Sequence, residues 1–382
     1  MKRFLFVTVF CVFTPLVTNP ALAELPPETL TVQQLKEPNP HRLYLTDLAL
    51  GHVIDGRVHV IDGDNYDYLG LISTGLFGLT ALSPDSSLMY VATTYYTKRN
   101  RGRRFDQFEI YSTKDLTLQA EIEIPAKHAH ALPYKGTMIG SKTGKFVFIQ
   151  NATPASSISV VNVEESSFVT EIPTPGCWIS LPSITSEKHV SSLCGDGTLL
   201  TVSLDAEGKS VDQKRSAAIF DGDLDPLFVQ AEAIGDTYYF VSYQGMVHEI
   251  NVEGPVAKSV AKWSLLDEND KQEQWRPGGY QLLAVNKAQN LLYVAMHKEG
   301  RDGSHKWPAQ EIWVYNVKSQ KRVDRAPGGN SVAMTLTKEE RPLLFLYDGV
   351  EAKFHKYQTT PKLKKIDDSP PFGEFAGLVE SH

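Results

Sequence analysis

Ser87-Leu88-Met89-Tyr90-Val91-Ala92 opens a stretch, residues 87–125, that carries one complete structural unit. An apolar strand is followed by a polar, basic loop (97–104), a second strand at Phe108-Glu109-Ile110-Tyr111, a turn over 112–116 and a third strand over 119–124. Runs of this length, with alternating polar positions and turn-forming breaks between them, are the pattern of antiparallel hairpins.

The unit recurs from end to end. Matches to its second strand lie at 58–62, 158–162, 200–204, 247–251, 312–316 and, less clearly, 354–357. Matches to its first strand lie at 42–45, 146–150, 189–194, 238–242, 291–295 and 343–347. Neighbouring starts are roughly 40 to 65 residues apart, near the period of a four-stranded propeller blade. A lone meander of this size leaves both faces of its sheet open, so the units must pack face to face around an axis. The pattern therefore predicts an all-β, seven-bladed β-propeller over 41–382, with a β-sandwich or two smaller β domains as the competing arrangement. A chain of 382 residues exceeds the usual single domain, but repeat architectures routinely do so.

The formal charge of −7 argues against general nucleic-acid binding, which needs a basic footprint. Lys2 and Arg3, an apolar run over 4–17 and Ala21-Leu22-Ala23 before Glu24 have the layout of a cleaved secretory signal over 1–23. Pro15 and Pro20 interrupt the run, and it is short for a membrane span. The expectation is a mature chain beginning near Glu24 in the periplasm, with a proline-rich arm over 24–40. Processing removes Cys11 and leaves Cys177 and Cys194, two cysteines in an oxidising compartment, which are expected to pair. A redox role is the lesser reading, because no Cys-x-x-Cys spacing is present.

Three segments stand out from the strand rhythm. The loop Lys98-Arg99-Asn100-Arg101-Gly102-Arg103-Arg104 is strongly basic. It is either a hairpin tip whose arginines pair with carboxylates such as Asp106 and Glu109, or a docking surface for an acidic partner chain. Residues 263–280 suggest a short capped helix and a tight turn. Residues 297–308 form an insertion holding His297, His305, Lys306 and Trp307, read as structural or interfacial in preference to metal-binding because no third ligand has a matching spacing.

Catalytic motifs are missing: there is no Gly-x-Ser-x-Gly, phosphate-binding glycine loop, His-Glu-x-x-His or Cys-x-x-Cys-His. Asp62, Asp85, Asp196, Asp205 and Asp348 fall at turns, where carboxylates cap backbone amides, so none reads as a general base.

With these residues laid out, the chain resembles the heavy subunit of the periplasmic quinoprotein amine dehydrogenases, the methylamine dehydrogenase heavy chain family, and among them the aromatic amine type most. The matching segments are Arg101-Gly102-x-Arg104-x-Asp106, Gly176-Cys177-Trp178 with Cys194-Gly195-Asp196-Gly197, Trp263-Ser264-Leu265-Leu266, Trp275-x-Pro277-Gly278-Gly279-Tyr280, and His305-Lys306-x-Pro308-Ala309-x-Glu311-Ile312-Trp313-Val314. The resemblance implies a heterotetramer of two heavy and two light subunits. The light subunit would carry the cofactor, tryptophan tryptophylquinone, and the catalytic base, and electrons would pass to a blue copper protein of the azurin or amicyanin type. This chain would then bind no cofactor, metal, nucleic acid or membrane itself and would supply no catalytic residue. Its part would be a partner interface, with Arg101, Arg103, Arg104, His305 and Lys306 as candidates, and a wall of the substrate channel. Where the family places a channel phenylalanine this sequence has Leu76, with Phe77 one step later, so Leu76 or Phe77 is the expected wall residue. Two other functions compete: an exported propeller that binds some other protein without catalysis, and a stand-alone lactonase-like propeller hydrolase.

Overall fold

The computed structural model describes residues 35–382. The expected signal peptide, its cleavage point near Ala23 and the arm as far as residue 34 lie outside the described residues. Within them the chain is almost entirely antiparallel strand, and the single α-helix is five residues long, Glu268–Gln272. That helix is the short capped one expected in 263–280. Asp267 accepts from the Asp270 amide at its N-terminus and Asp270 returns the contact, which satisfies two of the otherwise orphaned donors.

The quoted stretch folds as read. Leu88–Tyr96 pairs with Arg104–Ser112 in unbroken register, from Leu88 opposite Ser112 to Tyr96 opposite Arg104, and Leu118–Ile124 adds the outer strand. Tyr90, Ala92, Phe108, Ile110 and Ile122 face inward and meet Met138, Val147, Ile149 and Val161 of the next meander. Burying one such large side chain contributes roughly 1.5–3 kcal/mol. The alternation along one sheet therefore gains its stabilisation against the face of its neighbour, which is what sets consecutive meanders side by side.

Every expected first and second strand is present. The meanders are 376–381 with 42–47, 56–62 and the start of Tyr68–Leu82; the end of that same strand with 88–124; then 138–173, 177–215, 227–264, 283–327 and 331–371. Tyr68–Leu82 and Lys321–Leu336 are long because each ends one meander and begins the next. The C-terminal strand Ala376–Ser381 pairs with Arg42–Asp47 near the N-terminus, so the two ends of the described chain close in one sheet. Gln281 reinforces this closure, donating to the Val379 carbonyl at 2.9 Å and accepting from the Val379 amide at 2.7 Å.

Strand direction divides the connections between two rims, because successive antiparallel strands turn alternately at opposite ends. One rim carries short turns, the longest being 183–188, 252–257 and 337–342. The other carries 48–55, 97–103, 125–137, 216–226, 265–282 and 298–308, all longer. Asp62, Asp85, Asp196, Asp205 and Asp348 cap backbone amides at turns, as their positions imply. Cys177 and Cys194 form a disulfide that joins the first two strands of one meander at the long-loop rim.

Candidate functional site

All the candidate residues fall on the long-loop rim, which carries three side-chain clusters. The first surrounds Phe77. Tyr68–Leu82 leaves one sheet and joins the next at a bulge, where the register steps from Leu76 opposite Thr94 to Leu79 opposite Ala92. Gly75 and Phe77 have φ of 57° and 51° there. A Cβ on Gly75 would meet the Thr93 Oγ1 at 2.5 Å, so glycine is required. At Phe77 the left-handed backbone costs about 1–2 kcal/mol. Surrounding contacts hold it: His128 Nε2 lies 3.1 Å from the Phe77 carbonyl, and the Phe77 ring stacks on His130 with centroids 5.4 Å apart and planes 13° from parallel. Because of the bulge, strict alternation fails, and Leu76 and Phe77 are both half-exposed.

Beneath this half-exposed cluster lies a buried carboxylate. Asp106 is fully buried and takes donors from several elements: Arg104 Nε at 2.8 Å and its terminal nitrogen at 2.6 Å, the Thr94 hydroxyl at 2.7 Å, and the His128 amide at 2.9 Å. His128 Nδ1 is a further 3.1 Å contact. Burial by itself would raise the Asp106 pKa, but the hydrogen bonds from His128 and Arg104 outweigh it and hold the carboxyl well below its usual range. His130, whose Nε2 is 2.8 Å from the Thr94 hydroxyl, is pushed down to about 4 by burial and by the neighbouring His128 and Arg104. The Phe77–His130 stack is thus an aromatic, uncharged surface at neutral pH.

The arginines of the basic loop divide. Arg104 is turned inward onto Asp106 and the His128 carbonyl, whereas Arg101 and Arg103 are exposed. Glu109 is a correction to the expected arginine pairing. It is buried and accepts from the Tyr95 and Tyr111 hydroxyls instead, because it points to the inner side of the hairpin, away from the loop.

In a second cluster Tyr243 stacks on His305, centroids 4.7 Å apart, and Phe228 packs tilted against Tyr243 at 4.6 Å. It edges a basin of about 410 Å³ that also takes in Arg276, Arg301 and Asp302. Lys306 beside it is exposed. His297 is buried with its Nδ1 2.9 Å from the Lys298 carbonyl, and among the described residues no three potential ligands gather around a metal position. A third cluster, Leu48, Leu132, Pro133, Tyr280 and Phe375, lines a small apolar recess. Asp47 positions it, accepting from the Phe375 amide at 2.9 Å and the Glu374 amide at 2.5 Å.

Sequence reasoning had singled out Leu76, Phe77, Arg104 and Asp106, and the fold brings these together. It missed Thr94, His128 and His130. The pair His128-x-His130 after Pro125, at a strand-to-strand crossing, was the available signal. The structure places His305 and Lys306 in a separate cluster on the same rim, and Cys177–Cys194 elsewhere along it.

These features define an all-β protein of the propeller type with one rim built up for binding. Solved structures agree on the fold: a putative 6-phosphogluconolactonase from Bacteroides fragilis superimposes with a TM-score of 0.59 at 10% identity over 89% of this chain and 97% of that one. A β-propeller domain from Myceliophteria thermophila gives 0.53 at 10% identity, covering 82% and 93%. The sequence profile described as methylamine dehydrogenase heavy chain (MADH) matches residues 39–369, and the chain belongs to that family. Among curated relatives, the methylamine dehydrogenase heavy chain of Methylophilus methylotrophus is 25% identical over 331 residues, 82% of this chain and 79% of its own. That of Paracoccus versutus is 23% identical over 352 residues, 90% and 80%.

Proposed function

We propose that this chain is the heavy subunit of a periplasmic, tryptophan tryptophylquinone-dependent amine dehydrogenase, a seven-bladed propeller over 41–382 that docks a light subunit on its long-loop rim. One observation carries the reading. Among the exposed large apolar side chains, those on loops, Leu50, Ile54, Leu224, Val350 and Phe375, all sit on the rim that holds Phe77 and the family-matched segments around Arg104 and His305, whereas the others lie along outer strands. Exposed apolar residues gathered on one face mark an interaction surface. The blade count rests on the succession of meanders and on the inner strands that share one axial cavity.

The quinone, when bound in the partner, supplies the electrophile for oxidative deamination of a primary amine. This chain's tryptophans do not fit that role: Trp275 and Trp313 face each other at 4.9 Å but are 1% and 0% exposed, with indole N–H groups held by Glu273 and Glu311. What its residues do is bind and shape. Arg101 and Arg103 offer charge-assisted hydrogen bonds to a partner, and His305 and Lys306 offer a second contact across the rim. Leu76 and the Phe77–His130 stack present an apolar, uncharged wall that excludes water and favours an aromatic amine as substrate. Electrons leave from the partner to a blue copper protein.

The test is co-expression with the light subunit. The two chains should co-purify with a quinone absorbance, and Leu224→Glu with Val350→Glu should weaken the association at least tenfold without changing thermal unfolding of this chain. A full-strength amine dehydrogenase activity in this chain alone would refute the proposal.

A further inference from the structure

The face opposite the partner rim opens into a cavity that the proposed function does not use. An outer chamber of about 550 Å³ lies between Pro84, Asn286, Lys338 and Ser381, and an inner one of about 200 Å³ extends along the axis. Lys135, Glu232, Lys287 and Glu380 border both. The inner chamber is walled by Met138, Ile139, Leu181, Ile184 and Leu378, and Ser180, fully buried there, has a hydroxyl with no hydrogen-bond partner.

The charges around the junction are incompletely matched. Lys135 pairs with Glu232. Glu380 has no such partner among the described residues, and its one hydrogen bond is a 3.5 Å contact from the Leu82 amide. Burial raises the Glu380 pKa despite the more distant Lys135 and Lys338. Across the mouth, the Lys338 ammonium donates to the Ser86 hydroxyl at 2.5 Å, and among the described residues neither it nor Lys287 forms an ion pair, although Glu340 and Glu339, the latter held by His41 and Thr337, also line the outer chamber. An enclosed carboxylate without a counter-charge is unfavourable, and a ligand that brings one relieves the cost.

We infer that this axial cavity binds a free α-amino acid with an apolar side chain, its ammonium on Glu380, its carboxylate toward Lys338 and Lys287, and its side chain in the inner chamber. The order of groups along the axis supports the pose. Leu378 and Glu380 lie two residues apart on one strand, so both side chains enter the channel, the apolar one deeper. A plain amine would pair with Glu380 but leave Lys287 and Lys338 without an ion-pair partner, and a plain acid would set its carboxylate against Glu380. The zwitterion offers a partner to both.

Isothermal titration of the purified mature protein, with no electron acceptor present, tests this with L-phenylalanine, L-phenylalaninamide, which lacks the carboxylate, and N-acetyl-L-phenylalanine, which lacks the ammonium. Phenylalanine should bind saturably, and each analogue about tenfold or more weakly, the worth of one charge-assisted contact. Glu380→Gln, a near-isosteric change that removes the unpaired charge, should fold normally by thermal unfolding and weaken phenylalanine about tenfold. Ile139→Trp, which fills the inner chamber, should abolish binding. Absence of saturable phenylalanine binding, an analogue that binds as tightly, or indifference to Glu380→Gln in folded protein would each overturn the inference. Because these variants lie on the face opposite the partner rim, subunit association and amine oxidation report separately.

Discussion

Asp106→Asn is the most informative substitution, because both oxygens of this carboxylate accept from fixed donors. Oδ2 receives the Arg104 terminal nitrogen and the His128 amide and lies 3.1 Å from His128 Nδ1, while Oδ1 receives Arg104 Nε and the Thr94 hydroxyl. Whichever way an asparagine amide is turned, its NH2 points at donors, and the Arg104 charge loses its counter-ion. Breaking a buried ion pair from one side costs about 3–5 kcal/mol. With the unfolding entropy of a chain this long, that lowers Tm by roughly 4–7 °C. Circular dichroism melts of the variant beside Thr94→Val, which removes one neutral donor and should cost about 1 kcal/mol, measure the difference. The same substitution should release His128 and, with it, the left-handed Phe77 carbonyl, so amine selectivity in the reconstituted enzyme should broaden as stability falls. A Tm loss below 1 °C, or a loss equal to that of Thr94→Val, would refute the view that Asp106 organises the wall.

Cys194→Ser should destabilise the chain by about 3 kcal/mol, the loop-entropy value for a separation of 17 residues, and reductant should reproduce the effect; urea titration with and without dithiothreitol measures both. Asp47 is held at about 2, because hydrogen bonds from His59 and from the Ala49, Glu374 and Phe375 amides outweigh burial, which would raise it. A depressed carboxylate stabilises the fold above its unfolded pKa and loses that contribution as pH falls toward its folded value, so the urea midpoint should drop between about pH 4 and pH 2 in the native protein and much less in Asp47→Asn. Leu76→Phe should narrow the channel and Phe77→Ala should widen it, shifting the ratio of kcat/KM for phenethylamine and methylamine in opposite directions; unchanged ratios for both would remove these residues from the wall.

The strand pattern was legible because it is local. The short buried runs Leu88–Tyr96 and Ser157–Asn162, each bounded by turn residues, are set by local propensity, and the repeat of that pattern carries the fold class with it. Asp267 and the turn aspartates were legible for the same reason, since their partners lie within a few residues. The wall around Phe77 was half legible. The Arg104–Asp106 pair sits two residues apart on one strand, but His128 and His130 reach it from a different crossing, and the bulge that turns Phe77 outward breaks the alternation on which a reading of side-chain direction depends.

By itself, then, the sequence determined which residues form strands, where the turns fall and which family the chain resembles. Only the tertiary structure decided that every long loop rises on one rim, that Asp47 grips the amides of Glu374 and Phe375, that Gln281 locks Val379, and that Glu380 faces a cavity with no ion-pair contact among the described residues. Strand propensity and turn chemistry act over a handful of residues, whereas these contacts span from tens to hundreds of positions and exist only once the C-terminal strand has paired with the first and closed the sheet.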